Sequence, residues 1–351
     1  MAEAWYAILA LTAVLFVLLD GWNIGAGVVS FRVARTEAER RQIVAALGPL
    51  WSWHEVWLLA TGGVLFLAFP DVLATALSGF YLAFFLLLWS FLLRGVALEF
   101  GGHLPDPLWR SFFDTVFALS STLLAILLGA AFGNVLRGVP LGPDGRFLAP
   151  LFTDWSARGA VGILDWYTVL VAIFTFAVLA AHGAAYLRLR TEGPLHDRSD
   201  SAARFLWIVS LALLPVVTVA TTAVRPEFFQ HMAGRPLAWA GILSVVLGAL
   251  AIATGHRSRR EGRSFAGGVL VITGLLLGAA ASAYPVLLRS TLAPEHSLSA
   301  TNALAPGAGP GFALVWWPVA FLLSLGYAGF VHRSFRSRAR AATIATENPY
   351  D

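Results

Sequence analysis

Long apolar runs separated by short polar connections recur along the whole chain. A helix needs about 20 apolar residues to cross the hydrocarbon core of a bilayer. Most of the runs reach that length without a formal charge, while the first contains Asp20 and the second contains His54 and Glu55. The pattern predicts nine transmembrane helices in a single membrane domain, 1–351, whose last residues, 333–351, form a cytoplasmic tail. The expected spans are 5–31, 43–69, 72–94, 115–136, 166–187, 205–224, 236–256, 264–288 and 312–332.

Composition supports this interpretation. Of 351 residues, 58% are hydrophobic and 13% are charged, whereas a soluble domain carries about 25% charged residues. The sequence contains no cysteine, which excludes disulfides, cysteine-ligated zinc and iron–sulfur clusters. All 24 basic residues are arginines, so a Schiff-base lysine and a P-loop lysine are excluded as well. We therefore expect an all-α integral membrane protein that does not bind nucleic acid.

The arginines are distributed unequally between the two sets of connections. Eighteen of them lie in the loops after the odd-numbered spans and in the tail, and six lie in the opposite loops. Because cytoplasmic loops are enriched in arginine and lysine, the N-terminus is predicted outside and the C-terminus in the cytoplasm of a prokaryotic cell (inner) membrane.

Ionisable residues inside spans mark candidate functional sites. At 1.5 Å per residue, Asp20 lies about 16 Å and Glu55 about 18 Å above the same membrane boundary. Consecutive spans usually pack together, so Asp20, His54 and Glu55 are expected at one level. Two interpretations stay open: a proton path through these three groups, or a structural hydrogen-bonded cluster that fixes the helix pair.

Other residues within or near the spans favour packing roles. Gly21 and Gly25 form a spacing that lets a neighbouring helix approach closely, and His182 is interpreted as a packing histidine among small residues. Arg94 and Glu99 close the third span, where snorkelling to the interface accounts for Arg94. Their five-residue spacing does not require them to pair.

The histidines do not favour a haem site within this chain. Only His54 and His182 fall well inside spans, at depths of about 16 Å and about 9 Å. Axial ligands of one haem have to face each other across the cofactor, and these depths disagree. We expect no catalytic, cofactor-binding or metal-ligating residue here.

Several segments taken in order resemble subunit II of cytochrome bd quinol oxidases over nearly the whole chain. The segments are DGWNIGAGV (20–28), GPLWSWHEVWL (48–58), GGVLFLAFP (62–70), SGFYLAFFLLLWSFLLRGVALEF (78–100), GAAFGNVLRGVP (129–140), HGAAYLRLRTEG (182–193) and SLSATNALAP (297–306). Each one is a weak motif, and their common order and spacing make the match specific.

The resemblance implies two pseudo-symmetric four-helix bundles plus one peripheral helix. It also implies a heterodimer in which a haem-bearing subunit I carries haem b and haem d. That complex oxidises membrane quinol, reduces dioxygen to water and generates proton-motive force. This chain then stabilises subunit I, contacts lipid and quinone, and contributes to proton or oxygen access. A small single-span subunit is a further partner that the resemblance leaves open.

The sequence departs from the family pattern at the polar positions. Asn23 replaces the second acid of the first helix, and Ser52, Trp53 and His54 replace an Asp-Gly-Asn run in the second. Because asparagine and serine do not titrate near neutral pH, we expect either that Asp20, His54 and Glu55 rebuild a polar path or that the path lies wholly in subunit I.

Two alternative functions remain. Intramembrane acids on many helices also suit an ion-coupled secondary transporter, although such proteins commonly contain broken helices; Pro215 and Pro285 are the interruptions that would fit one. The other alternative is a purely structural partner without a proton or ligand role of its own.

Overall fold

The computed structural model describes residues 1–48, 51–157 and 159–334, and helices account for most of them. The twelve α-helices, numbered α1 to α12 in chain order, are Ala2–Val33, Glu37–Leu47, Trp51–Ala68, Pro70–Gly79, Tyr81–Phe100, Pro107–Arg137, Trp166–Arg190, Pro194–Val224, Glu227–Ala233, Pro236–Arg257, Glu261–Ala283 and Gly309–Ser334. Two short strands, β1 (Val286–Leu288) and β2 (Leu298–Ser299), pair antiparallel between α11 and α12. The chain is therefore an all-α membrane fold with one small hairpin.

Eight helices within the described residues are long and apolar enough to cross a membrane. Helices α3 and α4 pass the same test only together, and they meet at an angle of 118°. The chain has nine spans if this bent pair counts as one, so the exact number of nine stays a prediction. The expected tail at 333–351 lies almost wholly outside the described residues.

Three expected spans have different boundaries in the structure. The run 43–69 is divided between α2 and α3, and the run 72–94 between α4 and α5. Residues before proline are disfavoured in the α region, and Phe69, with φ −135° and ψ 58°, ends α3 so that Pro70 begins α4. The run 264–288 is helical only to Ala283, because Pro285 cannot continue the helical hydrogen bonds and β1 follows it.

The helices pack in two groups of four. Helices α1, α3, α5 and α6 form the first group and α7, α8, α10 and α11 the second, with α1 and α6 both packed against α7 where the groups meet. Helix α12 contacts α3 at the periphery, and the apolar window of α12 is not buried by other elements. This arrangement agrees with the two four-helix groups and one peripheral helix that the family resemblance implies.

Glycines set the distance between α1 and α7. A Cβ atom added at Gly25 would lie 1.9 Å from the carbonyl oxygen of Leu179, and one at Gly183 would lie 2.1 Å from the backbone of Gly25 and Ala26. A Cβ at Gly21 would lie 3.0 Å from the Leu179 side chain. Small residues permit this backbone contact, which places Gly21 and Gly25 at the junction of the two helix groups.

Candidate intramembrane polar site

A buried ion pair joins α1 to α5. Asp20 of α1 and Arg94 of α5 are both 0% exposed. The Arg94 Nη2 atom lies 2.9 Å from Asp20 Oδ1 and 2.8 Å from Asp20 Oδ2. Removing two charges from water costs several kcal/mol per ion in a protein, and close pairing offsets that cost. Asp20 and Arg94 are thus a pair in which each charge requires the other.

Glu55 of α3 adds a second carboxylate to the same guanidinium. Its Oε1 atom accepts a hydrogen bond from Arg94 Nη2, and its side chain is 24% exposed, unlike that of Asp20. One cation therefore holds carboxylates from two different helices, and only the Glu55 carboxylate reaches the surface of this chain.

Asn23 extends the set to the imidazole of His54. The Asn23 Nδ2 atom donates to Asp20 Oδ1 at 3.0 Å and lies 2.8 Å from His54 Nδ1. An amide nitrogen only donates, so His54 Nδ1 is the acceptor and the ring proton of neutral His54 is assigned to Nε2. We call Asp20, Asn23, His54, Glu55 and Arg94 the Asp20 cluster. Sequence reasoning expected Asp20, His54 and Glu55 at one level, and the structure brings them together through Asn23 and Arg94.

The Asp20 cluster retains unused hydrogen-bonding capacity. Arg94 Nε, Arg94 Nη1 and Asn23 Oδ1 are buried and have no hydrogen-bond partner among the described residues. The Arg94 guanidinium also lies over the Phe91 ring, 5.3 Å from its centroid. Buried polar atoms are normally paired, so this cluster differs from a saturated structural network.

The expectation that Arg94 snorkels to the interface is wrong, because Arg94 is fully buried in the Asp20 cluster. The error follows from the boundary of the third span: with α5 running from Tyr81 to Phe100, Arg94 lies inside the helix instead of at its end. An arginine inside the membrane is normally paired with an opposite charge or a backbone carbonyl, and this tendency is the signal that could have paired Arg94 with Asp20. Glu99 is exposed near the end of α5 and takes no part in the cluster.

His182 lies beside the cluster on α7. It is 0% exposed, its Nε2 atom lies 3.2 Å from the Leu18 carbonyl oxygen, and its ring stacks on Phe265 at 5.1 Å. The Trp22 ring centroid is 5.0 Å from that of His54 and 5.9 Å from that of His182. A haem ligated by both imidazoles would need the space that this indole fills, so the two histidines do not fit that cofactor.

Metal ligands are also not assembled in the described part of the chain. No group of three or more His, Asp or Glu side chains is placed to hold a metal ion among those residues. The carboxylates and the imidazole of the Asp20 cluster are groups that can hold, exchange or orient protons.

The fold and this site define a multi-span α-helical membrane protein with an ionic cluster buried between three helices. The chain belongs to the cytochrome bd terminal oxidase subunit II family, whose profile matches residues 1–335.

Individual relatives agree over most of their length. The chain is 27% identical over 349 residues to the probable cytochrome oxidase subunit 2 of Haemophilus influenzae, covering 92% of this chain and 91% of that protein. It is 29% identical over 307 residues to the cytochrome bd ubiquinol oxidase subunit 2 of Bacillus subtilis, covering 86% of each. A chain in the structure of the bd oxidase from Geobacillus thermodenitrificans shares the fold, with a TM-score of 0.74 and 16% identity over 95% of this chain and 98% of that one.

Proposed function

We propose that this chain is the second subunit of a quinol:dioxygen oxidoreductase in a bacterial membrane. The observation that carries the proposal is the family match across residues 1–335, together with relatives named as ubiquinol oxidase subunits. The haems are assigned to subunit I, because Trp22 fills the space between the two intramembrane histidines of this chain that a haem ligated by both would need. Quinol oxidation and dioxygen reduction then take place in the partner.

The orientation belongs to the same proposal. The distribution of 18 arginines against 6 supports an N-terminus outside and a C-terminus in the cytoplasm. Under that orientation the end of the membrane domain where α1 and α10 finish and α8 begins faces the cytoplasm. We call it the arginine-rich end.

The proposed role of the Asp20 cluster is to hold and exchange a proton. With both carboxylates ionised, Asp20 and Glu55 carry two negative charges, and Arg94 carries one positive charge. An unbalanced charge at this depth is unfavourable, and one proton on the cluster neutralises it. Glu55 is the carboxylate that is 24% exposed, so the exchange is assigned to Glu55 while Asp20 stays paired with Arg94.

His54 and Asn23 tune this exchange. Asn23 does not gain or lose a proton. Its amide nitrogen donates to both Asp20 and His54, so a change in the protonation of His54 reaches Asp20 through the Asn23 side chain. A cationic His54 can no longer accept a hydrogen bond from Asn23, and the loss of this contact would weaken the hydrogen bond from Asn23 to Asp20. The cluster thereby links an imidazole to the carboxylates of α1 and α3.

The test is the double variant His54→Ala/Glu55→Gln in the purified oxidase complex. We expect quinol-oxidase turnover and proton uptake to fall several-fold while the haem content stays the same. Glu99→Gln is the matched control, because Glu99 is an exposed acid on α5 outside the cluster. Unchanged turnover and uptake in the double variant would contradict the proton role.

The oxidase assignment has its own test. The native complex should contain a haem-bearing partner chain and show a haem visible spectrum. A colourless protein isolated without such a partner would contradict the assignment and favour a secondary transporter instead.

A further inference from the structure

A groove opens between α8 and α10 at the arginine-rich end. Helix α8 packs against α7 and α10 packs against α11, while few contacts join α8 to α10 directly. The groove between them has a volume of about 290 Å³. Its walls include Ile208 and Leu211 of α8 and Ala253 of α10. The lower part of the groove is therefore apolar.

Two arginine side chains lie at the open end of the groove. Arg204 of α8 and Arg257 of α10 line the groove, and both are exposed. Trp207 follows Arg204 by three residues, which places it about 4.5 Å deeper along the helix. The groove thus runs from two guanidinium groups, past an indole, to an aliphatic wall.

Two polar atoms in its lining lack partners. Trp207 is 1% exposed, and its Nε1 atom has no hydrogen-bond partner among the described residues. The His256 side chain is 8% exposed, and its Nε2 atom is unpartnered in the same way. His256 Nδ1 is already engaged, 2.9 Å from the Ile252 carbonyl oxygen and 3.1 Å from the Ser264 hydroxyl. Both atoms are themselves shielded from the surface, and the Trp207 indole packs on Gly268 of α11, so these two side chains form the floor of the groove.

The charge at the open end is positive after local pairing. Asp200 forms an ion pair with Arg188 at 2.8 Å and accepts a hydrogen bond from Arg204 at 3.2 Å, and it lies 3.9 Å from His256 Nε2. This one carboxylate is shared by two guanidinium groups, those of Arg188 and Arg204, and Arg257 adds a further cation to the groove lining. The groove therefore complements an anionic group attached to an apolar chain.

We propose that the α8–α10 groove is a specific binding site for an anionic phospholipid. Arg204 and Arg257 hold the headgroup phosphate, and an acyl chain lies along Ile208 and Leu211 over the Trp207 indole. A free phosphate would leave the apolar wall unused. A neutral quinone headgroup would leave the two cations unused.

The test uses the purified, delipidated oxidase complex titrated with phosphatidylglycerol or phosphatidylcholine and examined by native mass spectrometry. We expect the native complex to retain one tight phosphatidylglycerol adduct that phosphatidylcholine does not replace. Arg204→Gln/Arg257→Gln should weaken that adduct about tenfold or more, since each basic residue near a membrane surface contributes to anionic lipid binding. Arg260→Gln/Arg263→Gln removes the same charge at the same end of the domain, outside the groove, and should retain the adduct.

A second variant tests the groove itself. Ala253→Trp fills it while leaving both arginines, and it should also lose the adduct; this keeps the test decisive if the arginine variant fails to assemble. Soluble glycerol phosphate at millimolar concentration should not displace the lipid. Retention of the adduct in Ala253→Trp, equal binding of phosphatidylcholine, displacement by glycerol phosphate or recovery of a quinone in its place would each overturn the proposal.

Discussion

Two buried arginines of this protein are paired in opposite ways. Arg137, at the end of α6, forms an ion pair with Asp165 and donates to the Asn134 side chain and to the Gly162 carbonyl oxygen, both at 2.8 Å. Its Nε atom donates to the Gly138 carbonyl oxygen at 3.2 Å. One cation meets one carboxylate: Nε and Nη2 donate hydrogen bonds, and Nη1 lies against Asp165 in the ion pair.

Arg94 has the reverse balance. It faces two carboxylates, Asp20 and Glu55, and its Nε and Nη1 atoms have no hydrogen-bond partner among the described residues. A neutral, saturated pair such as Arg137–Asp165 holds chain segments in place. A cluster with a surplus acid and unused donors can change its protonation without losing its ion pair. Charge balance and partner saturation, more than burial, separate the structural arginine from the functional candidate.

The largest expected effect is the loss of stability on substituting Arg137. Asp165 caps α7 by accepting from the backbone amides of Tyr167 and Thr168. Arg137→Met leaves the buried Asp165 without its cation, which should lower the free energy of unfolding by about 3–5 kcal/mol. The measurement is the thermal unfolding of the purified complex, with turnover per assembled complex unchanged.

Arg146→Met is the control for that variant, because Arg146 is exposed in the loop that follows α6. A loss of turnover in assembled Arg137→Met complex would place Arg137 in the machinery and remove the contrast with Arg94.

The next effect concerns the backbone beneath the Asp20 cluster. Gly25→Ala forces a Cβ atom against the Leu179 carbonyl oxygen, 1.9 Å away without relaxation. Overpacking of this kind costs about 1–3 kcal/mol, and it should move α1 away from α7 and disturb the alignment of Asp20. We expect both a lower unfolding temperature and lower turnover.

Gly63→Ala is the matched control for Gly25→Ala, because a Cβ atom at Gly63 meets nothing within 4 Å. If both substitutions gave the same result, helix propensity and not the α1–α7 contact would be responsible.

Asp20→Asn should act mainly on turnover. Arg94 keeps Glu55 as its counter-ion in this variant, so we expect a stability loss smaller than that of Arg137→Met. Turnover should fall about tenfold, equivalent to about 1.4 kcal/mol in the activation free energy. Asp165→Asn is the corresponding variant at the Arg137–Asp165 pair. It should lose much stability, while the complex that does assemble keeps its normal turnover. If Asp20→Asn and Asp165→Asn changed stability and turnover in the same proportion, Arg94 and Arg137 would not differ in role.

Sequence reasoning recovered the acids of the functional candidate and missed its cation. Asp20 and Glu55 interrupt apolar runs on consecutive spans, so their common depth follows from the helical rise. Arg94 was misplaced because an uncharged run carries no internal mark of where one helix stops, and α4 takes up the residues from Pro70 to Gly79. The Arg137–Asp165 pair and the α8–α10 groove depend on how distant segments meet, which no local pattern encodes.

The smallest expected effect lies outside the membrane, on α2. Glu39 accepts from the backbone amides of Arg35 at 2.7 Å and Thr36 at 3.1 Å, and from the Arg198 guanidinium of α8. Burial raises the pKa of Glu39, but these hydrogen bonds and the Arg198 charge outweigh it and lower the pKa below the ordinary value of 4.5. The carboxylate form is therefore favoured by folding.

A lowered pKa fixes the sign of the pH dependence. The Glu39 contribution is fully present above the ordinary value of 4.5 and is lost as the pH falls through the lower value in the folded chain. Glu39→Gln should therefore be less stable than the native chain by under about 1 kcal/mol near neutral pH, and this difference should shrink in acid. Thermal unfolding of both complexes across that range, with exposed Asp71→Asn as the control, measures it. A difference that grows as the pH falls would reverse the assigned sign, and it would mean that the α2–α8 contact does not favour the ionised form of Glu39.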